Sequence, residues 1–213
     1  MKFKRQEDLE IASIYDHYAR YIDALFGRWT ENFSHRKRAV AAMNLTPNST
    51  VLDIGCGIGS NFKTIQRYLS GEGMIVGIDV SSESLKLARK HILRHNWRNV
   101  CLVNESISDY HSNIRYDAAI CTFALEIMNN YERAIDNVYD LLKPNGSFVI
   151  IGMKLTSRLP FAWSNLLVDE VWKRAKVDSS RDVRAYIKSK AWKIEFQEEC
   201  LFGFYYIILA RRA

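Results

Sequence analysis

Between residues 50 and 152 the chain alternates in a way that few folds accept. Five strand-length runs are apolar nearly throughout: TVLDI at 50–54, MIVGID at 74–79, NVCLVN at 99–104, YDAAIC at 116–121 and SFVIIG at 147–152. Segments with helical spacing of apolar residues, 59–70, 81–96 and 130–142, separate most of them. A strand without a polar face must be covered on both sides, and helices between strands return the chain for parallel pairing. The pattern therefore predicts a mostly parallel sheet with helices on both faces. The turn KPNGS at 143–147 closes one helix and launches the fifth strand. Farther on, WKIEFQE at 192–198 and FYYIILA at 204–210 read as two more strands. Their short connection permits only an antiparallel pair.

The flanks are helical. Leu9, Ile11, Ile14, Tyr15, Tyr18, Ile22 and Leu25 mark a helix over 7–26, stopped by Gly27. A second helix is expected over about 31–44, with Phe33, Val40 and Met43 as its apolar members. A length of 213 residues supports one good core and is short for two. The reading is thus a single domain over 1–213, with an N-terminal helical cap at 1–45 and a helical insertion at 154–190.

Charge marks that insertion out. The net charge is +6, and residues 154 to 193 hold ten Lys or Arg against four acids, which leaves the rest of the chain balanced. No apolar run approaches the roughly 20 residues that span a bilayer. The N-terminal stretch MKFKRQEDLE is too charged for a secretory signal, so a cytoplasmic location is expected. Cys56, Cys101, Cys121 and Cys200 are far apart and show no metal-ligand spacing; Cys101 and Cys121 read as buried thiols.

The first strand stops in VLDIGCGIGSN, residues 51–61, with glycines at 55, 57 and 59. Such a turn at a strand's carboxyl end brings the backbone close to a ligand. A dinucleotide would want Gly-x-Gly-x-x-Gly, but position 60 is Ser. Asp53, two residues before the first glycine, would repel a pyrophosphate and attract a ligand with positive charge. S-adenosylmethionine carries a sulfonium and an ammonium and no phosphate, so charge favours it over NAD. Asp79, ending the second strand, is placed to accept ribose hydroxyls with either cofactor. Glu105, after the third strand, is placed to meet an adenine edge.

These segments resemble the class I S-adenosylmethionine-dependent methyltransferases. VLDIGCGIGSN looks like their first motif and GIDVSSESLKLARK like their second-strand segment. YDAAICTFALEIMNN is similar to the fourth-strand segment, and LLKPNGSFVII to the turn into the fifth strand. The resemblance runs from about residue 45 to 153, and the terminal hairpin extends it. It implies a Rossmann-like seven-stranded sheet of order 3-2-1-4-5-7-6 with an antiparallel last strand. It implies that Gly55, Cys56, Gly57 and Gly59 cradle the methionine part, with Asn61 closing the same stretch. Asp79 would bind the ribose and Val80 would lie against the adenine. Glu105, Ser106 and Ile107 would meet the adenine edge, and Thr122 and Phe123 would line the floor near the methyl group.

Methyl transfer from a sulfonium is a direct displacement, and a general base is needed only when the acceptor must lose a proton. The fourth strand is followed by CTFALEIM, without the proline motif of adenine- or glutamine-methylating enzymes, and no proline precedes a cysteine. Glu126 stands where many small-molecule members carry a His. It faces the acceptor as an amine ligand or base, or else it is an acid at a helix start. YDHYARYIDALFG resembles the N-terminal helix of the quinone- and phospholipid-modifying members, through Tyr15, Asp16, Ala19 and Asp23. Tyr15 and Tyr18 either close over the cofactor or form a packing face.

In this fold the region 154–190 commonly caps the acceptor pocket. Its aromatic and basic residues suit an anionic membrane surface, RNA, or a helix that packs its aromatics on the sheet. The reading is methyl transfer to a small or lipid-like acceptor, a phospholipid amine headgroup or a quinone precursor. The alternatives are an RNA or protein methyltransferase docking through the basic segment, and a protein that binds S-adenosylmethionine without turnover.

Overall fold

The computed structural model describes residues 6, 8–17, 34–70 and 72–213. Seven strands, β1 (Thr50–Ile54), β2 (Met74–Ile78), β3 (Val100–Val103), β4 (Tyr116–Thr122), β5 (Leu142–Met153), β6 (Trp192–Cys200) and β7 (Tyr205–Arg212), form one sheet. Their order is β3-β2-β1-β4-β5-β7-β6, as expected. Pairing is parallel from β3 through β5, and β7 runs antiparallel to both β5 and β6.

The helices are α1 over residues 8–17, α2 (Ser34–Ala42), α3 (Phe62–Leu69), α4 (Ser82–Arg94), α5 (Tyr131–Leu141), α6 (Asn165–Arg174) and α7 (Val183–Lys188). Tyr18, Ala19, Ile22 and Asp23 lie outside the described residues. Strand alternation divides the core in two. Leu52, Ile54, Phe148, Ile150 and Ile208 pack on Ile135 and Val138 of α5 and Ile187 of α7. Val51, Ile120, Val149 and Leu209 turn the other way, onto Val40 of α2, Ile65 of α3 and Leu85 of α4. Each large aliphatic side chain so buried contributes ~1.5–3 kcal/mol.

Three details depart from the sequence reading. Cys101, expected inside, is exposed, because β3 is an edge strand with incomplete cover. The turn at 143–147 is drawn into β5: Leu142 pairs with Tyr116, four residues bulge out, and pairing resumes at Ser147 opposite Ala118. Pro144 can sit within a strand only at such a bulge. Of the three readings open for the basic segment, a helix with its aliphatic residues on the sheet is not what forms. Leu166, Leu167 and Val171 of α6 face outward, and α6 has no buried residue.

Candidate active site

The chain leaves β1 through Gly55 (φ 59°) and Gly57 (φ 54°), left-handed conformations that glycine adopts without strain. A β-carbon on Gly55 would come within 2.5 Å of the Ala124 Cβ, whereas one on Gly57 would meet nothing within 4 Å. The first glycine is thus required by packing, and the second faces open space. Cys56 N–H donates to the Ile78 carbonyl at 3.0 Å, which carries the β1–β2 ladder into the loop. Gly57 N–H donates to Asp79 Oδ2 at 2.8 Å, and Ser81 N–H donates to Asp79 Oδ1 at 2.8 Å. The end of β2 and the glycine loop therefore hold one another.

A cavity of about 400 Å³ opens over these strand ends. Its wall includes Gly55, Cys56, Gly57, Asp79 and Val80 among the residues assigned to the cofactor from sequence. Glu105, Ser106, Ile107, Thr122 and Phe123 also belong to it, as does Tyr15 from α1. Phe123 holds φ 59° without being glycine. A strained backbone of this kind persists only where its surroundings fix it, and here Phe123 N–H donates to the Ile151 carbonyl at 2.7 Å.

Asp53, Gly59 and Asn61 stand behind the wall instead. Asp53 shares the strand parity of Val51, so its side chain turns toward α2 and α3 and is fully buried. It accepts from Asn61 Nδ2 at 2.8 Å, while Asn61 Oδ1 accepts from Arg36 Nη1 at 2.5 Å. Burial raises the Asp53 carboxyl to about 7, against the Asn61 hydrogen bond and the Arg36 charge, which lower it. Gly59 packs under the Phe62 ring.

Glu126 neither faces the cavity nor opens a helix. Residues 125–127 form a turn and α5 begins at Tyr131. The side chain is drawn into the core, where Tyr206 Oη donates to its Oε1 at 2.5 Å. Gly152 makes room for this pair, since a β-carbon there would lie 2.1 Å from Tyr206 Cζ and 2.2 Å from Glu126 Oε1. Desolvation raises the Glu126 carboxyl to about 7.

The cover over the cavity is held mostly by side chains, beside a backbone tie from Asp178 N–H to the Glu126 carbonyl at 2.9 Å. Tyr15 Oη donates to the Ala175 carbonyl at 3.2 Å, joining α1 to the end of α6. Burial, followed by the nearby Asp79 charge, raises the Tyr15 hydroxyl well above its ordinary range. Asp16 Oδ1 accepts from Glu83 N–H at 3.0 Å, fixing α1 to the start of α4. The cations of the insertion reach outward for partners: Lys176 for Glu10 at 2.8 Å, Lys190 for Asp136 at 3.4 Å, and Lys154, Arg158 and Arg184 all for Glu199. The exposed pairs among these are worth little alone, ~0–1 kcal/mol. Together they account for much of the charge that sets the segment apart in the sequence.

Sequence reasoning missed Arg36, Met128, Met153 and Val177, which also line the cavity, as does Trp172 of the segment expected to cap it. For Arg36 a signal existed. It stands four residues before Val40 and seven before Met43, on the apolar stripe of α2, where an unpartnered charge does not belong.

The family model described as "Methyltransferase domain" matches residues 52–148, from β1 into β5. The ubiquinone/menaquinone biosynthesis C-methyltransferase UbiE of Wigglesworthia glossinidia brevipalpis is 26% identical over 108 residues, 49% of this chain and 43% of that one. A 2-phytyl-1,4-naphtoquinone methyltransferase of Nostoc sp. is 25% identical over 147 residues, 67% of this chain and 64% of that one. The chain spans about half the length of the curated relatives it matches. In fold, it superposes on the N-methyltransferase NodS of Bradyrhizobium japonicum, solved with S-adenosyl-L-homocysteine, with a TM-score of 0.71 at 16% identity, over 95% of this chain and 98% of that one. Residues 52–148 are thus similar to a methyltransferase domain, the curated relatives are named as methyltransferases, and the strand order is shared with a solved methyltransferase fold.

Proposed function

We propose that this protein transfers the methyl group of S-adenosylmethionine to a small apolar acceptor, a quinone precursor or a lipid, by direct displacement. The observation that carries this reading is the unlike lining of the cavity. Asp79, Glu105 and Ser106 line it at the ends of β2 and β3, whereas Ile127, Met128 and Met153 line it at the ends of β4 and β5, beneath Trp172 of α6. The first side offers hydrogen bonds and negative charge; the second is mainly apolar, apart from Thr122 and the Arg36 guanidinium beside it.

The residues fit the cofactor. Asp79 lines the cavity with its carboxylate fixed by two backbone N–H groups, and two carboxylate oxygens side by side suit the adjacent hydroxyls of a ribose. The open space beside Gly57 admits a ligand against the backbone. A cavity of about 400 Å³ is in the range of small-molecule sites. When bound, S-adenosylmethionine supplies a methyl carbon on a sulfonium that leaves without protonation. The chain's tasks are then to align the acceptor under Met128, Met153 and Trp172 and to exclude water.

The relatives named for quinone substrates support the acceptor class. The exposed side chains of the insertion support a contact with a lipid surface that would deliver such an acceptor. Leu159 (86%), Trp163 (72%) and Leu166 (85%) stand in solvent, on the segment whose inner side contributes Trp172 and Ala175 to the cavity. Aromatic and aliphatic side chains in this position enter the boundary of a bilayer. Among the described residues no helix is long and apolar enough to cross a membrane.

The test is incubation with methyl-labelled S-adenosylmethionine and cell extract, followed by partition. Label in the organic phase is the expected result. Label in RNA or protein overturns the acceptor class. Tight cofactor binding with label in no fraction would instead identify a protein that binds S-adenosylmethionine without turnover.

A further inference from the structure

The cations of the insertion find acids elsewhere in the molecule, at Glu10, Asp136 and Glu199. Those of α4 do not. From Ser82 to Arg98 the chain carries five Lys or Arg against one acid, Glu83, and Glu83 pairs with Lys86. Arg89, Lys90, Arg94 and Arg98 are exposed and make no ion pair among the described residues. Ser84, Leu85 and Ala88 are the buried side of α4. Lys90 and Arg94, one turn apart, stand on the opposite side, with Arg89 at its edge.

The end of the helix adds an aromatic platform. Asn96 takes φ 52°. Its N–H donates to the Leu93 carbonyl at 3.2 Å, and Trp97 N–H donates to the Ile92 carbonyl at 3.1 Å. In this closing pattern a left-handed residue folds the chain back onto the helix it has just left. Trp97 is thereby set edge-on against Phe62, with ring centroids 6.5 Å apart. The exposed His95 ring lies almost parallel to Trp97, at 4.5 Å and 11°. His95 Nδ1, 2.9 Å from the His91 carbonyl, fixes the ring further.

Four free cations beside a rigid pair of rings match a chain of phosphates and bases. Cations take up phosphates without regard to sequence, and an aromatic face accepts any base. A bilayer would want an apolar face beside the cations, but the exposed residues here include one large aliphatic, Leu93. The surface also leads away from the cavity. Ser84 in the first turn of α4 lines the cavity, and the 13 residues of the helix carry the chain about 20 Å from end to end.

We propose that the outer face and the C-terminal end of α4 dock a single strand of nucleic acid. Its phosphates meet Arg89, Lys90, Arg94 and Arg98, and one base stacks on the His95–Trp97 pair. The strand is held at a distance from the cavity and is not the methyl acceptor, so the proposal stands apart from the acceptor reading.

The test is fluorescence anisotropy with a labelled single-stranded RNA of about 12 nucleotides, over a series of salt concentrations. A dissociation constant on the order of 1–100 µM is expected near physiological salt. The logarithm of affinity should fall against that of salt with a slope of about −3, four phosphates at about 0.7 each. Replacing Arg89, Lys90 and Arg94 together by Ala should weaken binding at least about tenfold and bring the slope to about −1. His95→Ala should weaken it about fivefold or more and leave the slope unchanged. A wild type that does not bind the RNA at about 50 mM salt overturns the proposal. So does a triple variant that binds as the wild type does. A triple variant that keeps RNA binding and loses binding to anionic vesicles also overturns it, and would make α4 a lipid contact.

Discussion

The floor and the cover of the cavity are built by different means. The floor is the carboxyl edge of a parallel sheet whose strands pair backbone to backbone. Asp79 holds the loop through Gly57 N–H and Ser81 N–H, and Phe123 is fixed through Ile151. The cover, α1 and the segment around α6, is attached mostly through side chains, Tyr15 to Ala175, Asp16 to Glu83 and Lys176 to Glu10, with a backbone bond from Asp178 to Glu126. Backbone pairing in a buried sheet is cooperative, whereas separate side-chain ties near the surface give way singly. On the proposed function, a cofactor shared by many enzymes would be met by the rigid part, and an acceptor particular to one enzyme by the adaptable part.

The sharpest way to break this contrast is in the floor. Gly152→Ala would drive a methyl group into Tyr206 and Glu126 and should cost about 3 kcal/mol, measured by urea unfolding. A loss below 1 kcal/mol would show that the floor yields as readily as the cover. Glu126→Gln tests the same place through pH. The folded carboxyl titrates at about 7 against an ordinary 4.5. The protonated form is therefore favoured on folding, and stability falls as pH rises from about 4.5 to about 7. The variant should lack this fall, worth about 3 kcal/mol between pH 4 and pH 8, and matching profiles for the two proteins would refute it.

Asp79→Ala should weaken S-adenosylhomocysteine binding by about 10- to 100-fold in calorimetry. An unchanged constant would remove Asp79 from the site. In the cover the effects should shrink. Tyr15→Phe should cost about 1 kcal/mol, the loss of one hydrogen bond, and a loss much above 2 kcal/mol would make α1 part of the core's cooperative unit. Replacing Leu166 and Leu167 together by Ser should change stability by less than about 0.5 kcal/mol and abolish co-sedimentation with anionic vesicles. Retained co-sedimentation would exclude α6 as the lipid contact.

The same contrast governs what could be read from sequence. Strand order, the glycine turn and Asp79 were legible because parallel strands and backbone turns restrict residue type position by position. Asp53 and Glu126 were legible as unusual acids but not in direction. Asp53 turns to α2 by strand parity, which a motif-level reading of the loop passed over. Glu126 is drawn inward by Tyr206, 80 residues away, which no local pattern reports. In the insertion, the excess charge could be counted, but its partners Glu10, Asp136 and Glu199 lie outside the segment. The outward face of α6 was hidden for the same reason: amphipathic spacing shows that a stripe exists, not what covers it.

The position of β7 bears on how the protein comes to fold. β5 pairs with the last strand rather than with the next one, so Ser147 through Met153 wait for Tyr205 through Arg211. During synthesis, that side of β5 remains an unpaired edge until more than fifty further residues have left the ribosome. Such distant pairings slow folding and leave a template for aggregation in the interval. The insertion, which lies in that interval, emerges before there is a finished sheet for it to cover.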